Sequence, residues 1–239
     1  MDFITVLKDV FPLLAQGALV TLETTVLALV LALFLGLFTC LACLGRKGPL
    51  LYLARGYITL IRGTPLLVQT FFVYFGVPQL IQSLGINFRL SPFAAGIITL
   101  SLNAGAYIAE IFRGGILAID PGQMEAARSL GFSYHRAMYR VILPQALRVS
   151  IPSLVNQFII SLKDTSIISI ISLADICYQA KIYIGRTMQS FTTWTIVGMV
   201  YLVIILALSH LSNHIEKRLS ISDRSSSAPP QKSTALKST

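Results

Sequence analysis

The chain has 239 residues, of which 54% are hydrophobic and only 12% are charged, and its mean hydropathy is +0.73. Because soluble domains carry about 25% charged residues, this composition excludes an ordinary soluble enzyme and indicates an integral membrane protein. The net charge of +9 would suggest a nucleic-acid partner for a soluble protein. In a membrane protein the placement of the positive residues is the informative property, and we expect no nucleic-acid partner.

The predicted elements begin with residues 1–17, an outer segment of mixed apolar and charged residues that suits an interfacial helix. A membrane domain over 18–219 follows, and it contains five apolar stretches long enough to cross a bilayer. These predicted spans are 18–44, 64–84, 91–111, 151–171 and 195–211. Residues 220–239 are rich in Ser, Pro, Thr and Lys and are predicted to form a disordered tail. The predicted fold class is therefore all-α, an integral membrane bundle of five transmembrane helices.

The positive residues orient this bundle. Fourteen Lys and Arg residues flank one side of the predicted spans and four flank the other, and Lys163 lies inside a span. Since cytoplasmic loops are enriched in Lys and Arg, we expect the N-terminus outside and the C-terminus, with the predicted tail, in the cytoplasm.

The longest cytoplasmic connection, residues 113–150, is predicted to form an elbow of two short helices. Asp120 suits the N-cap of the first helix, with Gln123 completing a capping box, and Gly131 suits the left-handed residue that ends it. Ser133 is predicted to cap the second helix, which Pro144 should end. By composition alone, such a basic elbow is either a solvated loop that holds topology or a docking surface.

Two ionisable residues lie near the middle of the fourth span. Lys163 is twelve residues from the start of that span, roughly 18 Å along a helix. Charges at this depth are costly and must face a cavity, a partner or a ligand. Asp164 can bind an ammonium group and Lys163 a carboxylate, with the hydroxyls of Thr165 and Ser166 beside them. The alternative is that the two charges brace neighbouring helices.

Other polar residues in the spans are candidates for lining a path or for hydrogen bonding between helices. Asn103, Gln69 and Gln157 are placed in this group. Glu110 and Arg113, three residues apart, are predicted to form a structural ion pair near the cytoplasmic end of the third span.

Catalysis and metal binding are not predicted. Cys40 and Cys43 form a C-x-x-C pattern inside an apolar helix without further ligands, so they are interpreted as small hydrophobic filler. The sequence contains no G-x-x-x-x-G-K-[ST] phosphate loop. We therefore expect no ATP hydrolysis by this chain alone and assign no catalytic residue.

Four ordered motifs resemble one family. Residues Glu125, Ala126 and Ala127, then Gly131, then Leu143 and Pro144 resemble the EAA motif of ABC importer permeases, with Val141 where isoleucine is usual. The segments 62–69, 103–110 and 161–166 resemble the polar amino acid subfamily. The resemblance covers about residues 10–219.

This resemblance implies a type I importer fold in the cytoplasmic membrane of a bacterium, with the EAA elbow docked in a cleft of an ATPase subunit. It also implies several partners: a dimer of ABC ATPase subunits that binds ATP and Mg, a second copy of the permease or a related one, an extracytoplasmic amino-acid-binding protein, the amino acid itself, and membrane lipid. This chain would carry no cofactor.

Two other functions are compatible with the composition. An ion-gradient-driven amino acid transporter would use Asp164 as its proton or cation site and would need no ATPase, but it leaves the elbow unexplained. A non-transporting membrane scaffold would use Lys163 and Asp164 only to hold helices together. Since Asp164 is the one carboxylate placed at mid-depth, the sequence favours a neutral or polar zwitterion over a basic substrate.

Overall fold

The computed structural model describes residues 3–45 and 48–224, and every regular element in these ranges is helical. Five of these helices are long and apolar enough to cross a membrane, which confirms the five predicted spans. The helices are α1 (Phe3–Leu44), α2 (Pro49–Arg62), α3 (Leu66–Ser83), α4 (Pro92–Leu117), α5 (Pro121–Ser129), α6 (Tyr134–Ile171), α7 (Ile176–Thr187) and α8 (Ser190–Arg224). The membrane-length elements are α1, α3, α4, α6 and α8.

The first and last helices are longer than predicted. The predicted separate segment 1–17 is, from Phe3 onward, a continuous part of α1. Val6, Val10 and Leu14 recur every four residues and are buried against α7 and α8, so tertiary packing extends the helix. At the other terminus α8 continues to Arg224, into the segment 220–239 predicted to be disordered. The remainder of that prediction, 225–239, lies outside the described residues.

Close contacts at two glycines show the relative directions of the central helices. A Cβ added at Gly36 of α1 would lie 2.6 Å from Ile108 of α4, and one added at Gly96 of α4 would lie 3.3 Å from Ile168 of α6. Late α1 therefore faces late α4, and early α4 faces late α6. The helices α1 and α4 are parallel, and α6 runs antiparallel to both.

The buried apolar residues form a cluster at each end of the bundle. One cluster joins α1, α2, α4 and α6 near the elbow and includes Ile108, Phe112 and Ile142. At the opposite end, Ile176 of α7 packs between the beginnings of α1 and α8. The bundle is thus closed at one end by α7 and carries the elbow at the other.

Gly115 is expected to be intolerant of any side chain, because α4 and α6 approach each other most closely there. An added Cβ would collide with the Ser150 hydroxyl and lie 2.9 Å from the Ala146 carbonyl oxygen. We expect Gly115→Ala to lower the free energy of unfolding by about 1–3 kcal/mol, measured by thermal unfolding in detergent. Gly114→Ala is the matched control, since no atom lies within 4 Å of its added Cβ. Equal losses in the two variants would contradict this packing.

Pro144 does not end the helix, so that prediction is wrong. A proline lacks the amide hydrogen that would bond the carbonyl oxygen of Arg140, and its ring crowds that carbonyl. The preceding residues Met138–Ile142 widen into a π-helical turn, in which the Leu143 amide donates to the Met138 carbonyl oxygen. The wider turn accommodates the ring, and α6 continues from the elbow into the bundle without a break.

The same arrangement occurs in α3. The π-helical turn Phe72–Gly76 comes immediately before Val77 and Pro78, and the Val77 amide donates to the Phe72 carbonyl oxygen. In both helices the missing donor of a proline explains the local widening, and π-helical turns are frequent near functional sites.

Asp175 anchors α7 to the bundle. Its Oδ1 accepts a hydrogen bond of 2.8 Å from the Tyr178 amide, which caps the helix. The residue is fully buried, and Oδ2 has no hydrogen-bond partner among the described residues. Burial raises the pKa of this carboxyl from 3.8 to about 6, although the backbone hydrogen bonds and Lys181 oppose the shift.

The raised pKa of Asp175 predicts a pH-dependent stability. Between pH 3.8 and about 6 the folded state binds more protons than the unfolded state. Protonated Asp175 therefore stabilises the folded state at low pH, and this contribution is lost as the pH rises through about 6. Asp175→Asn keeps the cap and removes this titration. We expect the variant to gain up to about 3 kcal/mol over the wild type at pH 7.5, but not at pH 4. An unfolding difference that is the same at both values would contradict the assignment.

Candidate functional site

One face of α6 is exposed from Val149 to Ile170. Its members alternate at spacings of four and three residues, which places them on one side. They are Val149, Ser153, Asn156, Ile160, Lys163, Ile167 and Ile170. We call this row the α6 stripe. Because it mixes apolar, amide and charged side chains at membrane depth, it suits a protein partner or an aqueous cavity better than lipid tails.

The predicted charge pair lies on or beside the α6 stripe. Lys163 is exposed and Asp164 is half-buried, and neither forms an ion pair with another described residue. The neighbouring hydroxyls are already used: Thr165 is fully buried and donates to the Leu162 carbonyl oxygen at 2.8 Å, and Ser166 donates to that of Lys163 at 2.6 Å. Of the four candidates, the two charged groups and the hydroxyl oxygen of the partly exposed Ser166, which can still accept, are available to a ligand.

Gln69 and Asn103 are joined to each other. The Asn103 amide nitrogen donates to Gln69 Oε1 at 3.0 Å, and Gln69 Nε2 donates to the Ile61 carbonyl oxygen and to both oxygens of Thr64. Both side chains are buried. This network connects the residues between α2 and α3 to the middle of α4. Gln69 and Asn103 thus form a hydrogen bond between helices, which is one of the two roles considered for them. Gln157 is also buried, and it donates to the Ser161 hydroxyl at 3.4 Å.

The predicted ion pair of Glu110 and Arg113 is part of a larger cluster. Arg113 donates to both carboxylate oxygens of Glu110, at 2.9 and 2.7 Å. Arg62, the last residue of α2, adds a contact of 3.4 Å to Glu110 Oε2, and its guanidinium lies 5.3 Å from the centre of the Tyr107 ring. The sequence analysis placed Arg62 in the motif segment 62–69 but did not predict this contact, because no spacing or periodicity links Arg62 to a residue on another helix.

A cavity of about 560 Å³ lies between this cluster and α6. Arg62, Tyr107 and Glu110 line one wall, and Ser153, Asn156 and Gln157 line the other. Since Ser153 and Asn156 belong to the α6 stripe, the cavity opens onto the same face as Lys163. Positive, negative and neutral polar groups are thus gathered in one place inside a membrane domain.

Three of the predicted turn and capping positions of the elbow are present. Asp120 caps α5 by accepting from the Gly122 amide at 2.6 Å, Gly131 adopts φ +86°, and Ser133 accepts from the Arg136 amide at 3.4 Å. Gln123 differs from the prediction: its side-chain oxygen accepts from Gln145 at 3.5 Å. This contact ties α5 to α6 in place of a capping box.

The motif residues of the elbow differ in exposure. Glu125, Ala126, Gly131 and Pro144 are exposed, Ala127 is buried, and Leu143 packs partly against the core cluster near the elbow. Two large side chains missed by the sequence analysis are also exposed here, Leu130 to 81% and Tyr139 to 71%. Exposed apolar side chains among arginines are typical of a protein–protein interface.

Comparison with known proteins identifies the family. The model of the binding-protein-dependent transport system inner membrane component matches residues 28–221. The chain belongs to this family. It is 38% identical over 216 residues to the probable glutamine ABC transporter permease protein GlnM of Bacillus subtilis (strain 168), a match that covers 90% of this chain and 97% of that one. It is 40% identical over 210 residues to the glutamine transport system permease protein GlnP of Escherichia coli (strain K12), covering 88% and 94%.

A solved structure agrees with this assignment. A crystal structure of an amino acid ABC transporter with histidines contains a chain that is 40% identical to this one, with a TM-score of 0.84. The match covers 91% of this chain and 99% of that chain. The permease assignment therefore holds at the level of both sequence and fold.

Proposed function

We propose that the chain is the permease subunit of an ATP-driven ABC importer for a polar amino acid, with glutamine as the first candidate. The observation that carries this proposal is family membership combined with about 40% identity to permeases named for glutamine over nearly the whole chain. Within residues 3–45 and 48–224, Asp164 is the one carboxylate that the predicted spans place at mid-depth, which agrees with a substrate that has no net charge.

The elbow is proposed to couple the permease to a separate ATPase subunit, which would bind ATP and Mg. The exposed edge formed by Glu125, Ala126 and Leu130 would enter a cleft of the ATPase. The covalent continuity of the elbow with α6 would carry the motion of the ATPase to the α6 stripe. The buried Ala127 would not contact the ATPase. Its small side chain would let α5 pack closely against the rest of the permease.

The α6 stripe is proposed to line the translocation path. An exposed Lys163 in the middle of a membrane helix needs a polar environment, and a second permease facing this stripe across the path would enclose it. In a homodimer each chain would supply its own half-site. Asp164 would bind the ammonium group of the substrate and Lys163 its carboxylate.

The proposed orientation follows the distribution of the positive residues, with the elbow in the cytoplasm and α7 on the outer side of the inner membrane. An extracytoplasmic amino-acid-binding protein would then deliver the substrate to the face that carries α7.

One alternative, an ion-gradient-driven transporter with Asp164 as the cation site, uses the same exposed charges. It differs in predicting uptake without ATP. The decisive experiment is therefore purification of the tagged chain from its native membrane, followed by assay in liposomes with the binding protein. ATP hydrolysis and uptake that both respond to L-glutamine are expected. Uptake that follows an imposed proton or sodium gradient without an ATPase would overturn the proposal.

A further inference from the structure

The cavity beside the cluster of Arg62, Glu110 and Arg113 is not accounted for by the mid-depth site. Glu110 lies seven residues before the end of α4, roughly 10 Å from its elbow end, whereas Asn103 lies roughly 21 Å from it. The cavity is therefore displaced from the middle of the bundle toward the elbow. A ligand that leaves Lys163 and Asp164 along the α6 stripe would reach Asn156 and this cavity.

Of the three charged groups in the cluster, Arg62 and Glu110 line the cavity, and Arg113 does not. Two guanidinium groups surround one carboxylate, so the cluster has one excess positive charge. Arg113 donates two hydrogen bonds to the Glu110 carboxylate, whereas Arg62 makes one longer contact of 3.4 Å to the same carboxylate. A guanidinium has five N–H donors in a planar fork that matches a carboxylate. Since the Arg62 side chain is 43% exposed, most of its donors remain available for an anion in the cavity.

Other side chains that line the cavity suit the other end of a zwitterion. The Tyr107 ring and the side-chain amides of Asn156 and Gln157 line the same cavity. Aromatic faces and amide oxygens both attract an ammonium group. A free α-amino acid carries a carboxylate and an ammonium group on the same α-carbon, so its carboxylate would contact Arg62 while its ammonium contacts the aromatic and amide groups of the lining.

We propose that this cavity is a second amino acid site on the elbow side of the path, in which Arg62 binds the α-carboxylate of the substrate. This inference rests on the proposed import of amino acids and adds a residue that no motif assigned to substrate. Because every α-amino acid has the same carboxylate, the site recognises the backbone of the substrate and not its side chain.

The test uses the permease–ATPase complex in nanodiscs without nucleotide or binding protein. Binding of radiolabelled L-glutamine is measured by scintillation proximity, with unlabelled L-glutamine and L-glutaminamide as competitors. The amide retains the ammonium and side chain but lacks the carboxylate. We expect the wild type to bind L-glutamine about tenfold or more tightly than L-glutaminamide, because the charge-assisted hydrogen bonds to the carboxylate contribute to affinity. A wild type that binds both competitors equally overturns the proposal.

Arg62→Gln is expected to weaken L-glutamine binding at this second site by about tenfold and to leave L-glutaminamide binding unchanged, so that only the mid-depth site with Lys163 still prefers the acid. Arg62→Lys, which keeps the charge without the planar fork, should retain part of the preference at the second site. Arg55→Gln is the matched control: it removes an exposed arginine two turns earlier on α2 that does not line this cavity. The preference of Arg55→Gln for L-glutamine over L-glutaminamide should equal that of the wild type.

Two outcomes separate failure of this inference from failure of the proposed function. If the wild-type complex with its binding protein imports L-glutamine, but the preference for the acid is undiminished in Arg62→Gln and disappears in Lys163→Gln, the carboxylate binds at mid-depth and the Arg62 site is overturned. If the wild-type complex shows no amino-acid-dependent ATP hydrolysis or uptake, the proposed function itself fails.

Discussion

Gly131→Pro is expected to reduce ATP-driven uptake by at least about tenfold, while the permease still inserts in the membrane. Gly131 adopts φ +86° and its amide donates to the Arg128 carbonyl oxygen at 3.0 Å. Proline fixes φ near −65° and has no amide hydrogen, so the turn between α5 and α6 must take another shape. The elbow would no longer present Glu125 and Leu130 to the ATPase. Uptake and co-purification of the ATPase subunit measure the effect.

Gly85→Pro provides the matched control for this variant. Gly85 also has a positive φ, +83°, and its amide donates to the Gln82 carbonyl oxygen at 3.0 Å. No atom lies within 4 Å of an added Cβ at either glycine. The two substitutions thus disturb equivalent turns at opposite ends of the bundle, and uptake should survive the change at Gly85. Similar losses in both variants would point to general misfolding and argue against coupling through the elbow.

Asp164→Asn is expected to raise the KM for uptake by about tenfold or more, with assembly intact. The substitution keeps the shape of the side chain and removes the charge that would bind the ammonium group of the substrate. A hydrogen bond to a charged group contributes about 1.5–3 kcal/mol, which corresponds to tenfold or more in affinity. Asp164 has no ion-pair partner among the described residues, so its loss should leave the helices in place.

Asp175→Asn makes the same chemical change at a buried aspartate outside the proposed path, so it is the control for Asp164→Asn. We expect its KM to equal that of the wild type. An unaltered KM in a variant that assembles would refute the substrate-binding role of Asp164. Failure of the variant to assemble with the ATPase subunit would instead indicate that Asp164 braces helices.

Several features of this protein follow from local sequence alone. The five spans were predictable because an apolar stretch of membrane length has few alternatives in a bilayer. The helix starts of the elbow were predictable because Asp120 and Ser133 cap through contacts within three residues. The pair of Glu110 and Arg113 was predictable for the same reason, since residues three apart share one helix face.

The candidate site depended on contacts between residues far apart in the chain. The hydrogen bond between Gln69 and Asn103 spans 34 residues and joins α3 to α4. Arg62 reaches Glu110 only because α2 lies across α4. Neither contact has a periodicity that a single sequence would reveal.

The sequence by itself determined that this is a membrane protein with five spans and capped helix starts between the third and fourth, because hydropathy and capping act within one helix or turn. Its resemblance to ABC importer permeases, and not its hydropathy, indicated the function. The tertiary structure alone decided three features: that α1 extends to Phe3, that α6 passes through Pro144, and that the charged cavity exists. Each depends on packing between helices. Burial of Val6 against α7 stabilises the first turns of α1, and a cavity is defined by walls from several helices that only the folded chain brings together.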